Sequence, residues 1–157
     1  MDAIPPHAGE EFVLPDAEAT EALGAWLAAL VRPGDVITLQ GELGAGKTSL
    51  ARGLLAALGL AGEAPSPSFA IVQPYAPPEV RLPVLHVDLY RIDDPREIEE
   101  LGLDEARGDS VLVVEWPERA GEGYWPDALA LTIAAAAGGG RRLTARVPEG
   151  WSARWPI

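Results

Sequence analysis

The chain is 157 residues long, carries 24 acidic against 12 basic side chains for a formal charge of −12, and is 48% hydrophobic. That length and apolar content suit one domain with a real core and exclude a disordered chain. The acidity excludes a broad grip on a nucleic-acid backbone, DNA included, which needs clustered lysine and arginine; the absence of cysteine excludes disulfides, thiol catalysis and cysteine-ligated zinc.

Met1-Asp2-Ala3-Ile4-Pro5-Pro6 lacks the basic and apolar regions of a signal peptide. No stretch approaches the ~20 apolar residues that span a bilayer, so no membrane association is expected. Residues 1–10 read as a loosely ordered lead, followed by a short strand around Phe12-Val13-Leu14. Asp16 is the expected N-cap of a first helix, with Ala19, Leu23, Trp26, Leu27, Leu30 and Val31 on one face. Arg32-Pro33-Gly34-Asp35 stops it.

Residues 36–39 form a β-branched apolar run, read as a buried strand, and residues 49–58 carry apolar side chains at helical spacing. Between them Gly41-Glu42-Leu43-Gly44-Ala45-Gly46-Lys47-Thr48 fits G-x-x-x-x-G-K-[ST] at every fixed position. Strand, glycine loop and helix together make the pattern mechanistic. The glycines let successive backbone N–H groups face one anion, and the helix start adds free N–H groups and partial positive charge. Lys47 is placed to reach the β- and γ-phosphates of a nucleotide, and the Thr48 hydroxyl to ligate Mg²⁺. Lys47 is also the only lysine in the chain. It falls where a compact ammonium on a flexible stem serves better than a guanidinium. ATP dependence points in turn to a cytoplasmic protein.

The loop helix is expected to end near Gly59. Residues 60–67 read as loop, 69–72 as a strand, and 73–79, with Pro74, Pro77 and Pro78, as a turn-rich excursion. Residues 80–89 read as a strand in which Val84-Leu85-His86-Val87-Asp88 closes on an acid. His86 shares a strand face with Asp88 and reads as a hydrogen-bonded partner rather than as a catalyst. Pro95 opens a helix over 96–103 with Ile98, Leu101 and Leu103 inward and Glu97, Glu99, Glu100, Asp104 and Glu105 on a solvated face. Val111-Leu112-Val113-Val114-Glu115 is a second apolar strand closing on an acid.

Acids at the carboxyl ends of parallel strands sit in the crevice where ligands bind. Asp88 and Glu115 are therefore the candidate catalytic and metal carboxylates beside Lys47 and Thr48. One would hold the metal while the other positions or activates water; alternatively, one of them caps a loop or pairs an arginine. Residues 128–135 and 141–147 read as strands joined by a hairpin at Gly138-Gly139-Gly140. The resulting fold class is α/β: a P-loop NTPase-like three-layer sandwich whose mixed sheet has a parallel centre and antiparallel edges. Residues 1–157 form a single domain. Its tail, 149–157, is expected to be loosely ordered, with Trp151 and Trp155 either covering the core or forming a contact surface.

Four segments occur in one order: the loop from Gly41 to Thr48, Ser66-Pro67-Ser68-Phe69, His86-Val87-Asp88-Leu89-Tyr90-Arg91, and Glu115-Trp116-Pro117-Glu118. This set resembles the bacterial TsaE (YjeE) family over roughly residues 12–147. The phosphate loop is generic; H-x-D-L-Y-R and E-W-P-E are specific. The resemblance implies an ATPase needed for N6-threonylcarbamoyladenosine at position 37 of tRNA, working with TsaD and TsaB proteins. It implies ATP phosphates on Gly41 to Thr48 and the adjoining Ser49. It also implies Mg²⁺ at Thr48 and Glu115, with Asp88 in the metal and hydrolysis site. Ser68 stands where the family usually has threonine, Trp116 matches the tryptophan beside the acidic site, and Gly140-Arg141 resembles a Gly-Arg near the nucleotide. Residues 16–20 would lie over the adenine by the same resemblance.

An acidic chain of this kind is expected to meet tRNA only through its protein partners, with slow ATP turnover alone. Two rival readings share the loop. A small-molecule kinase would need an acceptor pocket and an arginine-bearing lid, and neither 59–66 nor 73–79 supplies one. A nucleotide-sensing adaptor would bind ATP without useful hydrolysis.

Overall fold

The computed structural model describes residues 11–42, 46–62, 72–121 and 123–155. Seven strands form one sheet: β1 (Glu11–Leu14), β2 (Val36–Gln40), β3 (Val72–Tyr75), β4 (Val84–Asp88), β5 (Val111–Glu115), β6 (Leu129–Ala135) and β7 (Arg141–Arg146). Their spatial order is β1-β7-β6-β2-β5-β4-β3. The central four, β6, β2, β5 and β4, pair in parallel. β7 and β1 at one margin and β3 at the other pair antiparallel. The mixed sheet read from the sequence is the one observed.

Strand alternation divides the apolar residues between two layers. Ile37, Leu39, Val111, Val113, Leu129 and Leu131 join Leu23 and Leu27 of α1 (Ala17–Ala28) and Leu50 and Leu54 of α2 (Lys47–Ala57). Val36, Leu112 and Val114 join Ile98, Leu103 and Trp125 on the opposite side. All five positions of β5 are buried, as expected of a parallel strand covered on both faces.

Asp16 caps α1 by accepting from the Ala19 N–H at 2.8 Å. The helix ends at Ala28, so Leu30 and Val31 pack from the turn beyond it rather than from the helix. α2 closes as a Schellman motif around Gly59: the Leu60 N–H donates to Leu55 O and the Gly59 N–H to Ala56 O, each at 3.0 Å.

The expected helix over 96–103 is instead a 3-10 helix, Pro95–Leu101, a left-handed Gly102, and a short α3 (Leu103–Ala106). Ile98 is the one buried side chain of the 3-10 segment; a single apolar anchor among exposed acids does not sustain an α-helix. The proline-rich excursion also starts later than expected, because β3 runs through Pro74 to Tyr75. Pro74 is tolerated there because β3 is an edge strand with one side free of ladder bonds. β4 covers only 84–88 of the expected 80–89. Of the expected strand over 69–72, only Val72 is among the described residues.

The described part of the tail, residues 149–155, is packed rather than loose. Trp151 and Trp155 are buried in the α1–α2 layer, and Trp155 meets Trp26 edge-on at 5.3 Å. Arg154 donates to both carboxylate oxygens of Asp35, at 2.6 and 3.0 Å, and to Leu30 O at 2.9 Å. The indoles cover the core, which settles the alternative left open by the sequence. Among the described residues no helix is long and apolar enough to cross a membrane.

Candidate nucleotide and metal site

Gly41 and Glu42 leave the end of β2, and Gly46 opens α2 with φ +107°. That left-handed conformation suits glycine and lets the chain turn directly into the helix. Leu43, Gly44 and Ala45, and the segment from Ser66 to Phe69 with Ser68, lie outside the described residues. Lys47 and Thr48 are the first two residues of α2, and Ser49 is half-buried behind them.

The Lys47 side chain is 5% exposed. Its ammonium donates to the carbonyls of Gly41 and, at 3.2 Å, Glu42. It also lies 3.8 Å from the centre of the Trp116 ring, a cation–π distance. Burial lowers the Lys47 pKa; the carboxylates of Glu115, Glu118 and Asp88 pull it back up. The partners seen here are weak acceptors that a phosphate would outcompete on charge.

Thr48 points the other way. Its hydroxyl lies 3.2 and 3.3 Å from the two carboxylate oxygens of Glu115. Glu115 ends β5, the strand beside β2, and stands in register with Asp88 at the end of β4. Alternation puts Val84, His86 and Asp88 of β4 on one face. His86 Nε2 lies 2.5 Å from Glu115 Oε2; it partners Glu115 across the strands rather than Asp88 on its own strand. Asp88 Oδ1 accepts from the Tyr90 N–H at 2.9 Å, a two-residue side-chain turn. Burial raises the Asp88 pKa; the Tyr90 N–H opposes that, the Glu115 charge adds to it, and His86 and Lys47 lower it. The two acids are thus unlike. Glu115 is joined to the start of α2, whereas Asp88 accepts from the backbone at the strand exit.

Trp116 follows Glu115 with φ +59°, an unusual conformation for a bulky residue. Pro117 starts a 3-10 turn directly after it. The Trp116 ring packs 4.8 Å from that of Tyr90, and Arg119 stands over Tyr90 at 5.4 Å. An open cleft of about 560 Å³ runs past Gly41, Glu42, Trp116, Glu118, Ala134 and Arg141. Arg141 also donates to Gly140 O at 3.0 Å. The Thr20 methyl and the Arg141 side chain flank Gly46, each 3.8 Å from where a Cβ would stand. Of the segments 16–20 and 140–141, Thr20 and Arg141 therefore border the helix start.

Sequence reasoning placed Trp116 beside the acids but missed its contact with Lys47, the Tyr90 packing behind it, and Glu118 in the cleft. The adjacency of E-W-P-E and the aromatic in H-x-D-L-Y-R were the available signals. Among the described residues no three His, Cys, Asp or Glu side chains make a metal cage by themselves. A hydroxyl and two carboxylates are nevertheless the hard oxygen donors Mg²⁺ takes when nucleotide phosphates and water complete its shell.

A family model described as "Threonylcarbamoyl adenosine biosynthesis protein TsaE" matches residues 14–143. This chain belongs to the TsaE family. It is 46% identical over 117 residues to the tRNA threonylcarbamoyladenosine biosynthesis protein TsaE of Streptomyces coelicolor, covering 74% of this chain and 79% of that protein. It is 40% identical over 128 residues to the TsaE of Bacillus subtilis, covering 81% and 78%. The crystal structure of Bacillus subtilis YdiB superposes with a TM-score of 0.78 at 31% identity, over 93% of this chain and 90% of that one. The family match spans both strand-end acids and the glycine loop from Gly41 to Thr48.

Proposed function

We propose that this chain binds Mg·ATP and hydrolyses it in the cytoplasm, as the ATP-dependent component that supports N6-threonylcarbamoyladenosine formation on tRNA together with TsaD- and TsaB-type proteins. The supporting observation is the Thr48–Glu115 contact, at 3.2 and 3.3 Å, one residue from the buried Lys47 ammonium. Membership of a family named for that biosynthesis supplies the process.

In this reading Lys47 exchanges the Gly41 and Glu42 carbonyls for β- and γ-phosphate oxygens. The backbone from Gly41 to Ser49 cradles the phosphates, and Arg141 and Gly140 border the rest of the nucleotide in the cleft. Thr48 and Glu115 would hold Mg²⁺, with Asp88 close by. The metal would supply charge neutralisation at the phosphate oxygens. Asp88, the acid with the raised pKa, orients the attacking water and takes up its proton. Trp116 covers Lys47 from the side and keeps water from the ammonium. Ser68 is proposed as a sensor of the γ-phosphate, from the family pattern alone.

Phosphate release measured without any acceptor tests this. The expected result is slow, Mg²⁺-dependent release by the chain alone, faster release with TsaD- and TsaB-type partners, and none from Lys47→Ala. Release that requires a small-molecule acceptor would make the chain a kinase. ATP binding with no release under any of these conditions would make it an adaptor.

A further inference from the structure

His86 is completely buried, on a strand face whose other core residue is Val84. One ring nitrogen, Nε2, meets Glu115 Oε2 at 2.5 Å. The other, Nδ1, is buried with no hydrogen-bond partner among the described residues. Burying a polar imidazole in such a layer costs more than burying an apolar side chain of similar volume. Packing therefore does not account for a histidine here; the Nε2 contact does. With the carboxylate as acceptor, Nε2 is the donating nitrogen. Glu115 is then held from two sides: by Nε2–H from β4 and by the Thr48 hydroxyl from α2.

We propose that His86 is a positioning residue that fixes the Glu115 carboxylate against Thr48, so that the pair is set for a divalent cation before nucleotide arrives. The inference rests on the nucleotide and metal reading above and deepens it. His86 itself touches neither metal nor substrate. It removes the rotamer freedom that Glu115 would otherwise have at the end of β5, where the strand pairing stops. The donor is on a neighbouring strand in parallel register, His86 opposite Val113, so its height relative to Glu115 is set by the sheet ladder rather than by a loop. Outer-shell partners of metal ligands act in this way.

The test is titration of ADP into the full-length chain with Mg²⁺ and with EDTA, for the parent and for His86→Leu, His86→Asn and His86→Gln. Glutamine can place an amide N–H near the Nε2 position; asparagine is polar but too short, and leucine has no donor. Folding is checked by thermal melting. All three variants are expected to bind ADP in EDTA within about threefold of the parent. The strengthening of ADP binding by Mg²⁺ should fall by about 10- to 100-fold in the leucine and asparagine variants and be largely restored in the glutamine variant. If the leucine variant does not fold, the asparagine–glutamine difference carries the test. Equal Mg²⁺ responses in the parent and every folded variant, or equal losses with asparagine and glutamine, would overturn the positioning role alone. A parent whose ADP affinity ignores Mg²⁺ would overturn the metal reading and this inference with it.

Discussion

Thr48 and Glu115 are 67 positions apart in sequence, and the threonine hydroxyl stands 3.2 Å from Oε1 and 3.3 Å from Oε2 of the glutamate. One belongs to the first turn of α2 and the other to the last residue of β5. Because β2 feeds α2 and pairs in parallel with β5, the helix start and the strand end arrive at the same edge of the sheet. Glu115→Ala is expected to lower Mg²⁺-dependent phosphate release by roughly 100-fold, the equivalent of about 2.7 kcal/mol. Nucleotide binding in EDTA should change little. Unaltered turnover in this variant would remove Glu115 from the site.

The α1–α2 contact is closer than ordinary side chains allow. A Cβ on Gly53 would stand 2.0 Å from Glu21 O, and one on Gly24 would stand 2.1 Å from Leu50 O. Each glycine is pressed on the backbone of the other helix, which holds α1 against the helix that carries Lys47 and Thr48. Gly53→Ala is therefore expected to cost roughly 1–3 kcal/mol by forcing the helices apart, lowering the melting temperature by about 2–4 °C per kcal/mol. Nucleotide affinity should fall with it, because Thr20 flanks Gly46. A variant as stable as the parent would contradict the packing.

Asp88 carries a stability cost at neutral pH. Burial raises its pKa above the usual 3.8, so the folded chain holds that proton more tightly than the unfolded chain. The sign follows from linkage: stability falls as pH rises from 3.8 through the raised value and stays low above it. Asp88→Asn keeps an oxygen for the Tyr90 N–H and removes the charge. Without Mg²⁺ or nucleotide, the variant should resist urea better than the parent at neutral pH, by a margin that shrinks on acidification, while losing turnover. A parent that is the more stable of the two at neutral pH would reverse the assignment.

The charge of −12 predicts how the isolated chain meets tRNA. Each phosphate neutralised contributes a salt slope of roughly −0.9 on duplex, and a chain with 24 acidic against 12 basic side chains repels more of that backbone than it can neutralise. Filter binding at physiological salt should detect no specific complex with tRNA. Association should appear when TsaD- and TsaB-type proteins and nucleotide are added. Tight, salt-sensitive binding by the chain alone would contradict the electrostatic argument.

Local rules made much of this protein legible in its sequence. A glycine loop between a β-branched strand and an apolar-striped helix has few uses, and two apolar runs ending in Asp88 and Glu115 deliver carboxylates to one sheet edge once their strands are parallel. The Asp16 cap, the Gly59 closure and the 138–140 hairpin followed from residue chemistry over a few positions. Where apolar anchoring was thin, the same rules failed: around Ile98 an α-helix became a 3-10 turn, and at Pro74 an edge position admitted a proline to a strand. Only the tertiary structure decided which side chains share an atom's reach. Nothing local says that His86 turns to Glu115 rather than Asp88, that Trp116 lies on Lys47, or that Trp155 closes on Trp26. Those contacts depend on strand order and helix spacing, properties of the whole sheet that no short window of sequence contains.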